Sequence, residues 1–226
     1  MIPWTLLGLA KIPNNGGELE LTQRDKEFSI HMKGVRGELM NSRMHSSELA
    51  LSDLGCAHVK NTENAKTLVG GMGMGFTLAA ALKATKPSSK VVVAELVPDV
   101  IEWNKGPLGE CAGRPLDDSR VIVHVGDVAQ LFKAKQPEFD AILLDVDNGP
   151  EGFTHGDNNN LYSLDSLSAI RQTLKPKGVL AVWSAWHDPK FTTQLKKAKF
   201  KVETKTVRAH NGKGSRHTIY LAAKVS

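Results

Sequence analysis

Cysteine is nearly absent from this chain: Cys56 and Cys111 are its only two, and neither belongs to a CxxC or sits in a histidine cluster. A disulfide framework and a zinc site are both excluded on that count. Long apolar runs are missing too, since no unbroken stretch nears the roughly 18 residues of a membrane span. Twenty Gly and ten Pro among 226 residues come to about 13%, well short of the roughly 25–30% of low-complexity chains. The opening MIPWTLLGLAK has a short apolar run but no basic region before it and no clear small-residue cleavage site, so a secretory signal is not expected and a cytoplasmic protein is. What remains, with 41% hydrophobic and 23% charged residues, is the balance of a soluble globular chain.

Charge is uneven along the sequence. From Lys190 to His217 there are nine Lys or Arg against one acid, Glu203, so this stretch carries +8 of a net charge of +5 and the rest carries −3. Two readings stay open. The stretch is a surface that attracts nucleic acid or another anionic partner, or it is a solvated face, since Phe191, Leu195 and Ala198 recur at helical spacing with lysines between them.

Organisation changes near residue 45. Residues 17–43 alternate apolar and polar over short stretches punctuated by Gly34 and Gly37, and read as two or three antiparallel strands, a small N-terminal β appendage over 1–45. From Thr67 onward, strand, turn and helix repeat five times: KTLVGG with GFTLAAALKA, VVVAEL with VPDVIEWN, RVIVHVGD with VAQLF, FDAILLDVD with SLDSLSAIRQTL, and GVLAVWSAW with PKFTTQLKKA. Two last runs, KVETKTVRA and RHTIYLAAKV, flank the turn sequence HNGKGS and pair antiparallel. Residues 46–226 are therefore expected to form a doubly wound, mostly parallel seven-stranded α/β sheet. Asp188-Pro189 reads as a helix start, with Pro at the first helical position, and Lys175-Pro-Lys-Gly178 as a stop.

In such a sheet ligands bind beyond the carboxyl ends of the strands. The first strand ends in GGMGMGF, where Gly71, Gly73 and Gly75 precede a helix and let the backbone approach a ligand at its N-terminus. A dinucleotide fingerprint would need a small residue at 76 or 78, occupied by Phe76 and Leu78, and no phosphate-loop motif exists. NAD and ATP are disfavoured. The second strand ends at Glu95, suited to accept from both ribose hydroxyls; the third ends in Gly126-Asp127, suited to accept from an exocyclic amine; the fourth carries Asp145 and Asp147, which share a face by strand periodicity. Singly, each acid has a plainer use as a helix cap or turn residue. Together they describe a nucleoside pocket with an acidic floor.

These residues resemble the spermidine synthase family, within the class I methyltransferase fold. GGMGMGF stands in the family's glycine motif, with Gly71, Met72, Gly73 and Gly75 toward the donor, Glu95 is similar to its ribose acid, Gly126-Asp127 to its adenine side and Asp145 to its catalytic aspartate. The resemblance implies an S-adenosylmethionine-type sulfonium donor, intact or decarboxylated, a small amine acceptor, no metal, no membrane and a homodimer. Asp145 is expected as base or substrate anchor and Asp147 as a second electrostatic contact. Two positions depart from the family. Gly73 stands where it has an aspartate that holds the amino end of decarboxylated S-adenosylmethionine, and its D-x-x-D-P acid pair becomes Asp145-Val-Asp147-Asn148-Gly149-Pro150. Aminopropyl transfer, methyl transfer (with an RNA acceptor allowed by the basic stretch) and a non-catalytic nucleoside binder all remain open. The D/N-P-P-aromatic signature of base-amine methyltransferases is absent, because DNGP runs into Glu151. On the acceptor side the expectations are the glycine- and asparagine-rich segment 151–160 as a lid, His155 within it, the HNGKGS turn, His45 to Glu48 with Ser46 or Ser47 as helix caps, and Tyr162 with Trp183 or Trp186 with His187 as lining aromatics.

Overall fold

Strands whose side chains are apolar on both faces must lie inside a sheet covered by helices, and VVVAE and FDAILL are of that kind. The computed structural model, which describes residues 2–146, 161–210 and 213–225, places them at the centre of a seven-stranded sheet. Its strands are β5 (Lys66–Gly70), β6 (Lys90–Glu95), β7 (Val121–Val125), β8 (Phe139–Leu144), β9 (Leu174–Ser184), β10 (Phe200–His210) and β11 (Lys213–Lys224), in the order β10-β11-β9-β8-β5-β6-β7. The five from β5 to β9 run parallel, and β11 joins β9 antiparallel with β10 outside it. Ala141, Ile142, Leu143 and Leu144 are fully buried, and each of the three larger side chains contributes roughly 1.5–3 kcal/mol by leaving water.

Helices cover both faces. On one lie α1 (Ser46–Gly55), α2 (Phe76–Ala84) and α3 (Pro98–Lys105), on the other α4 (Leu164–Thr173) and α5 (Pro189–Lys197), and a separate apolar core forms under each set. Asp188 caps α5 as expected, accepting from the backbone N–H of Lys190 and Phe191 at 2.8 and 3.1 Å. α5 also carries the plainer reading of its lysines: Phe191 and Leu195 are buried while Lys196 and Lys197 face solvent.

Of three local expectations, two are corrected and one, the helix stop at Lys175-Pro-Lys-Gly178, is met, since α4 ends at Thr173. VAQLF forms a 3-10 turn rather than an α-helix, because five residues closed by Asp127 at one end and Lys133-Ala-Lys at the other give too few hydrogen bonds to offset helix nucleation. Lys175-Pro-Lys-Gly178 ends α4, but no loop follows; the four residues bulge out of β9, whose Leu174 pairs with Phe139 and Val179 with Ala141. The opening apolar run is a strand. β1 (Thr5–Lys11) pairs with β2 (Glu18–Arg24), followed by β3 (Glu27–Met32) and the two-residue β4 (Met40–Asn41), in an antiparallel sheet of that order. This sheet shares the core under α1–α3 through Leu19, Leu21, Phe28 and Ile30. Gly8 of β1 lies so close to the Trp103 indole that a Cβ there would come within 2.6 Å of it.

Candidate active site at the switch point

Chain direction reverses between β5 and its neighbours: the chain leaves β5 toward β6 and β7, then crosses back to β8 on the other side. A crevice opens at such a point beyond the strand ends. Here Asp145 follows directly on β8, its N–H donating to Gly70 O at 2.8 Å, and the chain of Gly71 passes so close that a Cβ would lie 2.3 Å from the Asp145 carbonyl oxygen. Gly71 has a φ of +92°, so lack of a side chain is needed there both for conformation and for space. Gly73 and Gly75 also lie at positive φ, and Gly75 precedes the first residue of α2.

A cavity of about 430 Å³ lies against this junction. Met72, Gly73, Thr77 and Asp145 line it beside the glycine turn, together with Glu38, Glu48 of α1, Trp183, Ala209 and His217. Of the expected site residues, Met72, Gly73 and Asp145 line this space. Gly71, Gly75, Glu95, Gly126 and Asp127 lie outside its lining but are joined to the same strand ends: Gly71 N–H donates to Ala94 O at 2.9 Å and Gly126 N–H to Glu95 O at 2.8 Å. Asp147 and the whole of 151–160, with His155, fall outside the described residues.

The electrostatics of the cavity centre on two carboxyls. Asp145 is enclosed by protein except where the cavity reaches it; burial, reinforced by the nearby Glu48 charge, pushes its pKa up to about 7, against the opposing effect of Thr77, whose Oγ1 donates to Oδ2 at 2.5 Å. Glu48 is raised as well, by burial first, with Ser47 Oγ donating to its Oε2 at 2.6 Å. Glu38 is tied up by its neighbours, accepting from Ser29 Oγ and Asn41 Nδ2 at 3.0 Å each and from Arg43 at 3.5 Å. A pair of facing carboxyls that resist ionising together is an arrangement suited to receive a cation and to take up a proton near neutral pH.

Asp127 takes up the capping role that the plainer reading allowed, whereas Glu95 does not cap α3, whose cap position Val97 has no side-chain bond. Glu95 is buried, with its pKa raised by desolvation although Val97 and Met72 N–H groups donate to its two oxygens at 2.8 and 2.9 Å. These bonds fix the glycine turn to the end of β6, and the N–H groups of Gly73 and Leu96 also favour the charged carboxylate. Asp127 is exposed and caps the 3-10 turn after β7 through the N–H of Ala129 at 2.8 Å. Of the aromatics expected to line the cavity, Trp183 does so, as does Phe76, which was not expected. Tyr162 packs edge-on against Phe191 in the core, and His187 stacks on Tyr220. Residue His45, not Ser46 or Ser47, occupies the cap position of α1, and its ring stacks on Phe76 at 4.2 Å. Ala209, Ser215 and His217 bring the β10–β11 hairpin into the cavity wall, as its turn sequence foretold. Thr77 and His217 carry no sequence signal beyond lying two residues past the glycine turn and next to the hairpin turn.

A doubly wound sheet with a glycine turn, a buried strand-end acid and an acidic cavity at its switch point is an open α/β architecture with its crevice where such sheets bind ligands. Comparison with known proteins makes this specific. The family described as spermine/spermidine synthase domain matches residues 47–209, and the chain belongs to that family. It is 32% identical over 123 residues to a polyamine aminopropyltransferase of Prochlorococcus marinus, covering 54% of this chain and 41% of the relative, and 33% identical over 144 residues to one of Bacillus mycoides, covering 62% and 47%. The chain thus spans less than half the length of these relatives. A spermidine synthase from Thermotoga maritima superposes with a TM-score of 0.72 over 97% of this chain and 72% of its own, at 17% identity, and a probable spermidine synthase from Corynebacterium glutamicum with 0.65 over 98% and 81%, at 13%. The fold is shared with both. Among the described residues no helix is long and apolar enough to cross a membrane, and no cluster of three His, Cys, Asp or Glu side chains offers a metal site.

Proposed function

We propose that the chain transfers an aminopropyl group from decarboxylated S-adenosylmethionine to an amine. The observation that carries this reading is the enclosed Asp145 carboxyl, held by Thr77 and paired with Glu48 in a cavity beside the glycine turn. In the reaction the amine nitrogen attacks the carbon next to the sulfonium, the carbon–sulfur bond breaks with its electron pair going to sulfur, and methylthioadenosine leaves as a neutral thioether. Asp145, ionised, takes the proton that the incoming ammonium must lose. Glu48 attracts the same cation and Thr77 fixes the carboxylate's orientation. Alignment does most of the remaining work, with donor carbon and acceptor nitrogen held within roughly 3–3.5 Å.

On the donor side, Gly71 leaves the backbone free to approach the ligand, Glu95 at the end of β6 is assigned to the ribose hydroxyls, and Gly126-Asp127 to the adenine amine. Asp147 is assigned to a second contact with the acceptor. A second reading, methyl transfer from intact S-adenosylmethionine, is favoured by one observation: Gly73 brings no acid to the donor's amino-acid end, and the nearest atom to a Cβ there would be the Met40 sulfur at 3.2 Å. The test is to incubate the protein with each donor and a panel of amines and to identify the nucleoside product by mass spectrometry. Methylthioadenosine is expected. S-adenosylhomocysteine, formed in an amine-dependent way, would replace this reading by the second, and no product from either donor would overturn both.

A further inference from the structure

At the β10 edge of the large sheet two cations face each other across a strand pair. Arg208 of β10 pairs directly with Arg216 of β11, which sets their Cβ atoms roughly 4.5–5.5 Å apart, and like charges so placed destabilise the pairing. Both side chains are exposed. Among the described residues neither has a carboxylate partner: Arg208 donates to the Gly214 carbonyl oxygen at 3.0 Å, and Glu203, the one acid in the two strands, is paired with Lys205. Most of the N–H donors on the two guanidinium groups are left for solvent or a ligand.

Strand alternation puts both arginines on the face that also holds Thr204, Thr206 and Tyr220. α5 covers only part of that face. It begins at Tyr220, whose hydroxyl accepts from the Asp188 N–H, and packs Phe191 and Leu195 into the core with Phe200 and Ala222. Thr204, Thr206 and Arg208 stay exposed, and Asp188, the acid at this end of the helix, is buried and bonded to two N–H groups as its cap. Aromatic rings stand nearby. His187 is exposed and stacks on Tyr220 at 6.0 Å and 17°. Trp186, 37% exposed, follows two residues after Ser184, the last of β9, which pairs with Thr218; Arg216 lies two residues beyond Thr218 past the same end of the pairing.

Cations without acid partners beside exposed aromatic rings are the means by which proteins hold single-stranded nucleic acid, the arginines taking phosphates and the rings taking unstacked bases. A duplex keeps its bases stacked, and an acidic peptide would use the arginines alone. Residues two apart on a strand lie roughly 6.5–7 Å apart, so Thr204, Thr206 and Arg208 offer side-chain donors at a step similar to that between phosphates of an extended chain. We infer that this face of the β10–β11 hairpin binds single-stranded nucleic acid, with Arg208 and Arg216 on phosphates and Trp186 and His187 against bases. The inference stands apart from the transfer reaction proposed above.

The experiment follows the fluorescence anisotropy of a labelled oligouridylate of about 12 nucleotides, within the roughly 4–16 that a single-strand-binding domain covers, as the whole chain is added at a series of salt concentrations. Arg208→Gln with Arg216→Gln should weaken binding about tenfold or more near 0.1 M salt, and should flatten the slope of log affinity against log salt by about 1.4, the share of two phosphate contacts. Trp186→Ala should weaken binding about fivefold or more with the slope unchanged. Lys60→Gln with Lys133→Gln removes the same charge from exposed sites elsewhere and should change affinity less than about twofold. No binding by the unaltered protein near 0.1 M salt overturns the inference. An equal loss in the Lys60 and Lys133 variant overturns it too, by tracing the binding to net charge. Displacement by polyglutamate or duplex RNA as readily as by unlabelled oligouridylate, or full binding by Trp186→Ala, leaves no place for bases and overturns it as well.

Discussion

Asp145→Asn separates the cost of burying a charge from every other contribution to stability. Asparagine has the same shape and still accepts from Thr77 Oγ1, so the packing of the site is kept. In the native chain the Asp145 pKa is pushed from 3.8 to about 7. Between those values the folded state keeps a proton that the unfolded chain has released, so stability falls as pH rises, by about 1.4 kcal/mol per pH unit and by about 4 kcal/mol across the window. Above about pH 7 both states are ionised and the loss is complete; below about pH 4 both are protonated and there is none. Asparagine does not titrate. Urea denaturation of the two proteins from pH 4 to pH 8 should show the variant gaining on the native chain steadily up to about pH 7 and then holding level. A difference that stays flat across the range would refute the claim that Asp145 is buried against a second acid. The same variant should lose about 10²-fold or more in turnover if Asp145 takes the proton.

In the native protein turnover should rise with pH toward about 7 as Asp145 ionises, and Glu48→Gln, by removing the facing charge, should move that rise to lower pH; a rate profile unmoved by Glu48→Gln would separate the two acids. Gly71→Ala combines a φ of +92° with a Cβ 2.3 Å from a backbone carbonyl, and should cost about 2 kcal/mol or more and abolish nucleoside binding, both read from thermal melts with and without methylthioadenosine. Gly73→Asp puts an acid into open space at a φ of +49°, blocked only by the flexible Met40 side chain, in a conformation that Asp tolerates; it should shift donor preference toward the decarboxylated form by on the order of tenfold, and an unchanged ratio in paired titrations would remove position 73 from the donor site. Asp188→Ala deletes a cap that accepts from two N–H groups and should lower stability by about 1–2 kcal/mol without altering binding.

The sheet was readable because its strands announce themselves twice, by apolar composition and by what ends them. VVVAE and AILL are buried on both faces, and each stops at a glycine or an acid that the crevice then uses. Where a segment's neighbours decide its shape, the sequence says less. VAQLF has a helical pattern but too little length, and its turn form follows from the capping bond of Asp127. β1 was hidden because TLLGLAK alternates poorly: Leu6, Leu7 and Leu9 are all substantially exposed, and what holds the strand is its pairing with β2 and the approach of Gly8 to Trp103, contacts that no local pattern encodes.

At the site the same distinction separates donor side from acceptor side. The residues proposed for the donor sit at strand ends in a fixed order along the chain, so Gly71, Gly73, Glu95, Gly126 and Asp145 could be named from their places at those ends. The other residues of the cavity come from four places far apart in sequence: Glu38 from the loop between β3 and β4, Glu48 from α1, Trp183 from β9 and His217 from β11. Each reads alone as an ordinary surface acid or core aromatic. Only the closing of the N-terminal sheet and the C-terminal hairpin over the switch point turns them into one wall. That is also why the two departures from the family, Gly73 and the altered acid pair after Asp145, speak about the donor's tail and one acid contact while remaining silent about the acceptor's far end.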